Sequence, residues 1–152
     1  MTQKKSMSSS RLIMPKAISL LCLDVGEKRI GVAVGDSSVL IAVPFDTVLV
    51  DGDEIKAIDE LIKKENVDIL VVGYPRNQAG EATAQSRYVE EFTTKLAGFA
   101  PKIVFQDESL TSVIAEQRLI SYKKPYSKAD IDAQAAAIIL QDYIEINYAR
   151  GR

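Results

Sequence analysis

The stretch Ile18-Ser19-Leu20-Leu21-Cys22-Leu23-Asp24-Val25-Gly26-Glu27-Lys28-Arg29-Ile30-Gly31-Val32-Ala33-Val34-Gly35-Asp36 decides the fold. Its first six residues are apolar but for Ser19, the pattern of a short buried strand. The run ends on Asp24, and a carboxylate at the tip of a buried strand is costly unless an opposite charge or an ion meets it. Val25-Gly26-Glu27-Lys28 carries turn chemistry. Ile30 to Val34 then reads as a second strand, with Gly31 and Gly35 allowing close backbone approach. Asp24 beside two glycines and the Lys28-Arg29 pair points to a metal or phosphate site.

Outward from this stretch, Ala42 to Val50 reads as a third strand, and Pro44 near its start favours an edge position. Three strands with short links make an antiparallel meander. The hydrophobic period then changes. Ile55, Ile58, Leu61 and Ile62 share one face of a helix ending near Asn66. Asp68 to Val72 is an apolar strand that stops at Gly73-Tyr74-Pro75, followed by a polar loop through Gly80. A long helix with Tyr88, Val89, Phe92, Leu96 and Phe99 as its buried stripe runs to Pro101. Lys102 to Phe105 is the next strand and delivers Gln106-Asp107-Glu108. Thr111 or Ser112 can cap a helix reaching Ile120. A basic loop, Ser121 to Ala129, leads to a last helix starting around Asp130, with Ser127 and Asp130 as a capping box. Its apolar face is Ile131, Ala135, Ile138, Ile139, Tyr143 and Ile146. The order βββαβαβαα predicts an α/β fold. It is a mixed five-stranded sheet, a three-stranded antiparallel meander plus parallel strands, with helices on both faces. Ligands in such sheets gather at the carboxyl ends of the parallel strands.

Bulk properties narrow the chemistry. The 152 residues suit one domain, expected over 16–150 after a disordered polar tail over 1–15, and 47% hydrophobic residues can fill its core. With 19 basic and 21 acidic residues there is no global polyanion signature, so a nucleic-acid partner needs a local basic patch. The single cysteine, Cys22, rules out an intramolecular disulfide and reads as a small core residue in a reducing, cytoplasmic setting. No stretch is long and apolar enough to cross a bilayer. The absence of histidine excludes Ser-His-Asp and Cys-His catalysis and histidine zinc sites. Acid, base and ligand chemistry falls to Asp and Glu, which suit Mg²⁺ or Mn²⁺.

Three carboxylate positions stand where this architecture would gather them: Asp24 after the first strand, Asp107-Glu108 after the last, and Asp132 in the first turn of the last helix. They meet at one end of the sheet if the first and last strands lie near each other. Clustered carboxylates raise one another's pKa unless a cation intervenes. Two ions roughly 3.5–4 Å apart can activate water and stabilise the leaving oxygen of a phosphodiester. Each position also has an ordinary reading: Asp107 and Glu108 as loop residues, and Asp132 as a first-turn carboxylate favoured by the helix dipole. Basic residues group around the same elements. They are Lys28, Arg29, Arg76 with Asn77 in the loop after Gly73, and Lys123, Lys124 and Lys128, interleaved with Tyr122 and Tyr126. Such residues position phosphates and stack on unpaired bases, or form solvated loops.

These blocks together resemble a known family. Leu23 to Val34, Val71 to Gly80, Asp107-Glu108-Ser109-Leu110-Thr111-Ser112 and Ile131 to Leu140 resemble, in order, the four motifs of the YqgF/RuvX family. These are RNase H-like proteins described as pre-16S rRNA nucleases and, earlier, as Holliday junction resolvases. The resemblance implies an RNase H-like fold and Mg²⁺ or Mn²⁺ dependence. It carries over Asp24, Glu108 and Asp132 as catalytic, metal-binding acids, and it implies maturation of the 5′ end of 16S rRNA, with pre-ribosomal particles as partners. The third block usually reads Asp-Glu-Arg-Leu, and Ser109 takes the Arg position here, removing a guanidinium that Lys128 or Arg118 could replace. Three other readings remain at this point. One is a junction resolvase on branched DNA and another is a non-catalytic nucleic-acid-binding module. The third, an actin-like ATPase, needs two large lobes that 152 residues cannot supply.

Overall fold

The computed structural model describes residues 16–77, 79–108 and 111–149. The expected tail over residues 1–15 and the Ser109 substitution lie outside the described residues. Five strands, β1 (Ser19–Val25), β2 (Arg29–Asp36), β3 (Val43–Leu49), β4 (Ile69–Pro75) and β5 (Ile103–Glu108), form one sheet in the order β3-β2-β1-β4-β5. The meander is antiparallel, while β4 runs parallel to both β1 and β5. The element order βββαβαβαα and the mixed five-stranded sheet match the reading of the hydrophobic period, the architecture is the RNase H-like one that the family resemblance implies, and Pro44 does lie on an edge strand.

Period-two alternation divides β1 between two cores. Leu21, Leu23 and Val25 face helices α1 (Glu54–Lys64) and α2 (Ala84–Thr94), meeting Ile58, Ile62, Val89 and Phe92. Leu20 and Cys22 face α4 (Lys128–Ile144), meeting Ala136, Ala137, Ile139 and Leu140. Helix α3 (Thr111–Ser121) covers the outer side of α4, with Ala115 against Ala135 and Ile138. Cys22 is fully buried in the second core, as a small hydrophobe there should be.

Helix α4 comes unusually close to the sheet because both surfaces are trimmed. It presents alanines, and β2 presents Gly31, Ala33 and Gly35 on the same face. A Cβ on Gly31 would collide with the backbone carbonyl of Asp132, and a Cβ on Gly35 would lie 3.1 Å from Ile144 Cδ1. Capping fixes where the helix begins. Ser127 Oγ accepts from the Asp130 N–H, and the Asp130 carboxylate accepts from the Ser127 N–H at 2.8 Å.

Several boundaries differ from expectation. Helix α2 ends at Thr94 rather than running to Pro101, because the chain turns through Lys95 and Leu96. Leu96 is still buried, but Phe99 is 42% exposed and leaves the stripe. Ile146 lies beyond α4 in the wider turn Glu145–Ala149 and is exposed. Strand β4 continues through Gly73 to Pro75. Helix α4 starts at Lys128, so Asp130 is its first-turn acid and Asp132 stands in the second turn. The dipole-stabilised reading of Asp132 loses its basis, since that effect fades within one turn.

The Gly31 contact is with backbone, which has nowhere to yield. Gly31→Ala should therefore force α4 off β2 and lower stability by about 3 kcal/mol, the upper range of overpacking costs. Urea unfolding of the variant beside the parent chain measures this.

Candidate nuclease site

Asp24 is the sixth residue of β1 and points to the α4 face, in line with Leu20 and Cys22. Its antiparallel neighbour on β2 is Gly31. On its other side, one step past the Leu23–Val72 pair, is Gly73 of β4. Asp24 is thus flanked on both sides by residues without side chains. Each empty position is filled by another of the expected acids. The Asp132 backbone rests on Gly31, and the Glu108 carboxylate reaches over Gly73, where a Cβ would strike its Oε2. Ile139 of α4 closes the floor, 2.8 Å from that same notional Cβ.

The first and last strands do lie near each other, with only β4 between them. Glu108 joins Asp24 across β4 because Gly73 leaves the way open. Gly73, expected to mark the end of a strand, is a missed structural determinant of the site. Its signal was a glycine inside an apolar strand pattern, a recognised mark of close approach.

Burial and mutual repulsion shape the titration of these groups. Removal from water, and then the charge of Asp132, push the Asp24 carboxyl up to about 6. Removal from water, and then the charge of Asp24, push Glu108 up to about 8. The Cys22 thiol, one pleat below on the same face, is raised by burial and then by Asp24 and Glu108. Asp24 thus links the three: it is pushed up by Asp132 and in turn pushes up Glu108. Asp132 has its own partner: Arg29 Nε donates to its Oδ2 at 2.6 Å.

The donor set suits a hard divalent cation: three carboxylates, no imidazole, and repulsion that a cation would relieve. In the arrangement seen here, no three His, Cys, Asp or Glu side chains among the described residues are gathered closely enough to hold an ion. The charge of Asp132 acts on Asp24 and the charge of Asp24 acts on Glu108, so Asp24 would be the ligand shared between Glu108 and Asp132.

The expected nucleic-acid contacts divide into engaged and open groups. Arg76 Nε donates to Asp107 at 2.9 Å, and its guanidinium lies 4.6 Å over the Tyr74 ring. Asn77 accepts from the Glu81 N–H and donates to the Glu81 carboxylate. Lys28, Lys123, Lys124 and Lys128 are exposed. Tyr126 donates to Glu116 at 2.9 Å, whereas Tyr122 is 52% exposed. A cleft beside the acids is lined by Gly26, Glu27, Lys28, Arg29, Gln85 and Asp132. Gln85 escaped the sequence reading. Its amide donates to the Val25 carbonyl at 3.3 Å, and no local pattern marks that contact.

Comparison with known proteins places the chain in context. Residues 18–146 match the model of a family described as RuvX, Holliday junction resolvase. A protein of Sulfurihydrogenibium sp. named "Putative pre-16S rRNA nuclease" is 40% identical over 129 residues, covering 83% of this chain and 89% of the relative. One of the same name from Synechocystis sp. is 40% identical over 138 residues, covering 88% and 91%. Among solved structures, the RuvC of T. thermophilus in complex with a Holliday junction substrate superposes with a TM-score of 0.55 at 14% identity. That match covers 88% of this chain and 97% of that one. A Fowlpox virus resolvase bound to Holliday junction DNA gives 0.54 at 11% identity, covering 85% and 98%. These two likenesses are of fold.

Two outcomes follow from the geometry. In the metal-free protein the folded state holds protons on Asp24 and Glu108 that the unfolded chain has released, so stability falls as pH rises between about 4 and about 8. Thermal melts across that range should show the decline, and Asp24→Asn should flatten it and raise the melting temperature at pH 8. Gly73→Ala should push the Glu108 carboxylate outward, moving its titration down from about 8 toward the ordinary glutamate range. Carboxyl-carbon NMR reads that shift directly.

Proposed function

This chain belongs to the RuvX family, and on that premise we propose that it is a divalent-metal-dependent endonuclease acting on structured RNA. Its reaction is 5′-end maturation of the 16S rRNA precursor, in the cytoplasm and on pre-ribosomal particles. The observation that carries the reading is the placement of Asp24. It is desolvated, flanked by two glycines, and raised in pKa by a site that brings Glu108 and Asp132 toward it. Residues 16–150 act as one nuclease domain.

Asp24 holds the centre of the acidic site, and Glu108 and Asp132 complete the ligand set for Mg²⁺ or Mn²⁺. When bound, such an ion supplies Lewis acidity toward the scissile phosphate and the attacking water. The chain's own residues hold the substrate. Lys28 stands at the rim of the cleft beside the acids. Lys123, Lys124 and Lys128 precede Asp132 on the approach to α4 and attract the phosphate backbone, with Arg76 and Asn77 on the loop after β4. Arg29 belongs to this basic set but is already engaged with Asp132. The buried floor under Asp24, made by Cys22 and Ile139, excludes water from below and keeps the carboxylate aimed at the open end of the sheet.

A second reading keeps the chemistry and changes the substrate to branched DNA. The family description favours it, as does the fold shared with resolvases bound to Holliday junctions. Purified protein should cut a 16S precursor leader in Mg²⁺ or Mn²⁺, and Asp24→Asn should slow cutting by at least about a hundredfold, as expected for loss of a central metal ligand. Equal rates for the two proteins would remove Asp24 from the site. Preferential cutting of a four-way DNA junction over the RNA leader would move the assignment to the resolvase reading. Salt-sensitive binding without any cutting would leave a binding module.

A further inference from the structure

Arg29 opens β2 and lies on the same face as Gly31, two residues from the point where the Asp132 backbone crosses the strand. Its guanidinium reaches an acid 103 residues away in sequence, at 2.6 Å. Three features set this contact apart from an ordinary surface pair. It is made by Nε to one carboxylate oxygen, Oδ2, and leaves the other oxygen of Asp132 uncommitted among the described residues. Both side chains are partly buried, 30% and 25% exposed, so the geometry is held by packing as well as charge. The two residues also form one wall of the cleft that contains Gly26, Lys28 and Gln85. The long Arg29 side chain is anchored at its backbone by the ladder pairing of Arg29 with Leu49, and by the Gly26 N–H donating to its carbonyl at 3.0 Å.

We propose that Arg29 is a positioning residue of the acidic site: by clasping Oδ2 of Asp132 it fixes the carboxylate so that its other oxygen serves the divalent cation beside Asp24. This rests on the metal-dependent reading of the site. A hydrogen-bonded ligand carboxylate is pre-aimed, and outer partners of this kind usually carry a ten- to hundredfold share of metal affinity. A guanidinium that merely competed for Asp132 would act in the opposite direction, and one that only gripped phosphate would leave metal affinity alone.

The opposing consequences define the experiment. Mn²⁺ binding is measured by calorimetry without nucleic acid on the parent chain, Arg29→Gln and Arg29→Lys, with melting temperatures confirming that each is folded. Arg29→Gln should weaken Mn²⁺ binding about tenfold. Arg29→Lys should weaken it as well, because an ammonium keeps the charge but not the Nε geometry. In RNA cleavage, kcat should fall while KM for RNA moves little. Asp132→Asn combined with Arg29→Gln should be no weaker in Mn²⁺ binding than Asp132→Asn alone, the signature of one residue acting through another. Unchanged or tighter Mn²⁺ binding in Arg29→Gln overturns the proposal while leaving the nuclease reading intact. Parental affinity in Arg29→Lys also overturns it, since charge and not aim would then suffice. A raised KM with unchanged metal affinity makes Arg29 a substrate contact instead. If the parent chain binds no Mn²⁺, the metal-dependent reading falls, and this inference falls with it.

Discussion

Carboxylates drawn partly out of water repel one another, and this fold brings three half-buried ones toward one end of its sheet. Everything near the site is arranged around that cost. Asp24 reaches its place because the strand beneath it is fully apolar, with Leu21, Cys22 and Leu23 at 0% exposure. Its neighbours on both flanking strands are glycines, so the space beside it passes to Asp132 and Glu108. Helix α4 can bring Asp132 that close only because its inner surface is alanine where β2 is glycine and alanine. A larger residue at Gly31 would separate the helix from the sheet and the acids from each other. The same contacts therefore set the packing of the second core and the electrostatics of the site.

The local parts of this arrangement were legible in the chain. Short apolar runs bounded by glycines and charges marked all five strands, and the 3.6-residue spacing of Ile55, Ile58 and Ile62 marked α1. Asp24 stood out because a charge interrupts an apolar strand there. The long-range parts were not legible. Strand order put β4 between β1 and β5, so the route from Glu108 to Asp24 depends on Gly73, whose side chain is missing rather than present. The Arg29–Asp132 bond spans 103 residues, and no spacing rule reports such a pair. Boundaries failed where local chemistry competed. Helix α2 has its start fixed by Thr83 but carries no basic residue in its last turn, and it turns away at Lys95, which left Phe99 outside the core.

The ends of the helices explain features that composition alone assigned to loops. Lys123 adopts a positive φ of 57° just after α3, where its N–H donates to the Ile120 carbonyl at 3.0 Å. Its backbone thus closes one helix while its ammonium stays in water near the start of the next. Tyr126 is tied to Glu116 of α3, which fixes the loop between the two helices. The segment Lys123 to Lys128 is consequently a shaped connection, and it delivers its charges one turn before Asp132.

A chain with a formal charge of −2 has no long-range pull on a polyanion. Attraction must come from the lysines at the rim and from whatever neutralises the acids. Uncompensated, Asp24, Glu108 and Asp132 would repel a phosphodiester from the cleft that Lys28 and Arg29 line. One guanidinium already offsets Asp132, whereas neither Asp24 nor Glu108 has a basic ion-pair partner among the described residues. Compensation of Asp24 and Glu108 is thereby left to protons or to a divalent ion from solution. A proton neutralises one carboxylate at a time, whereas on the proposed metal-dependent reading a divalent ion held by Asp24 and Glu108 would remove their repulsion and add positive charge that a phosphate could meet. On that reading the electrostatic requirement for substrate entry and the requirement for catalysis would converge on the same cation, with Asp24 as the residue that connects them.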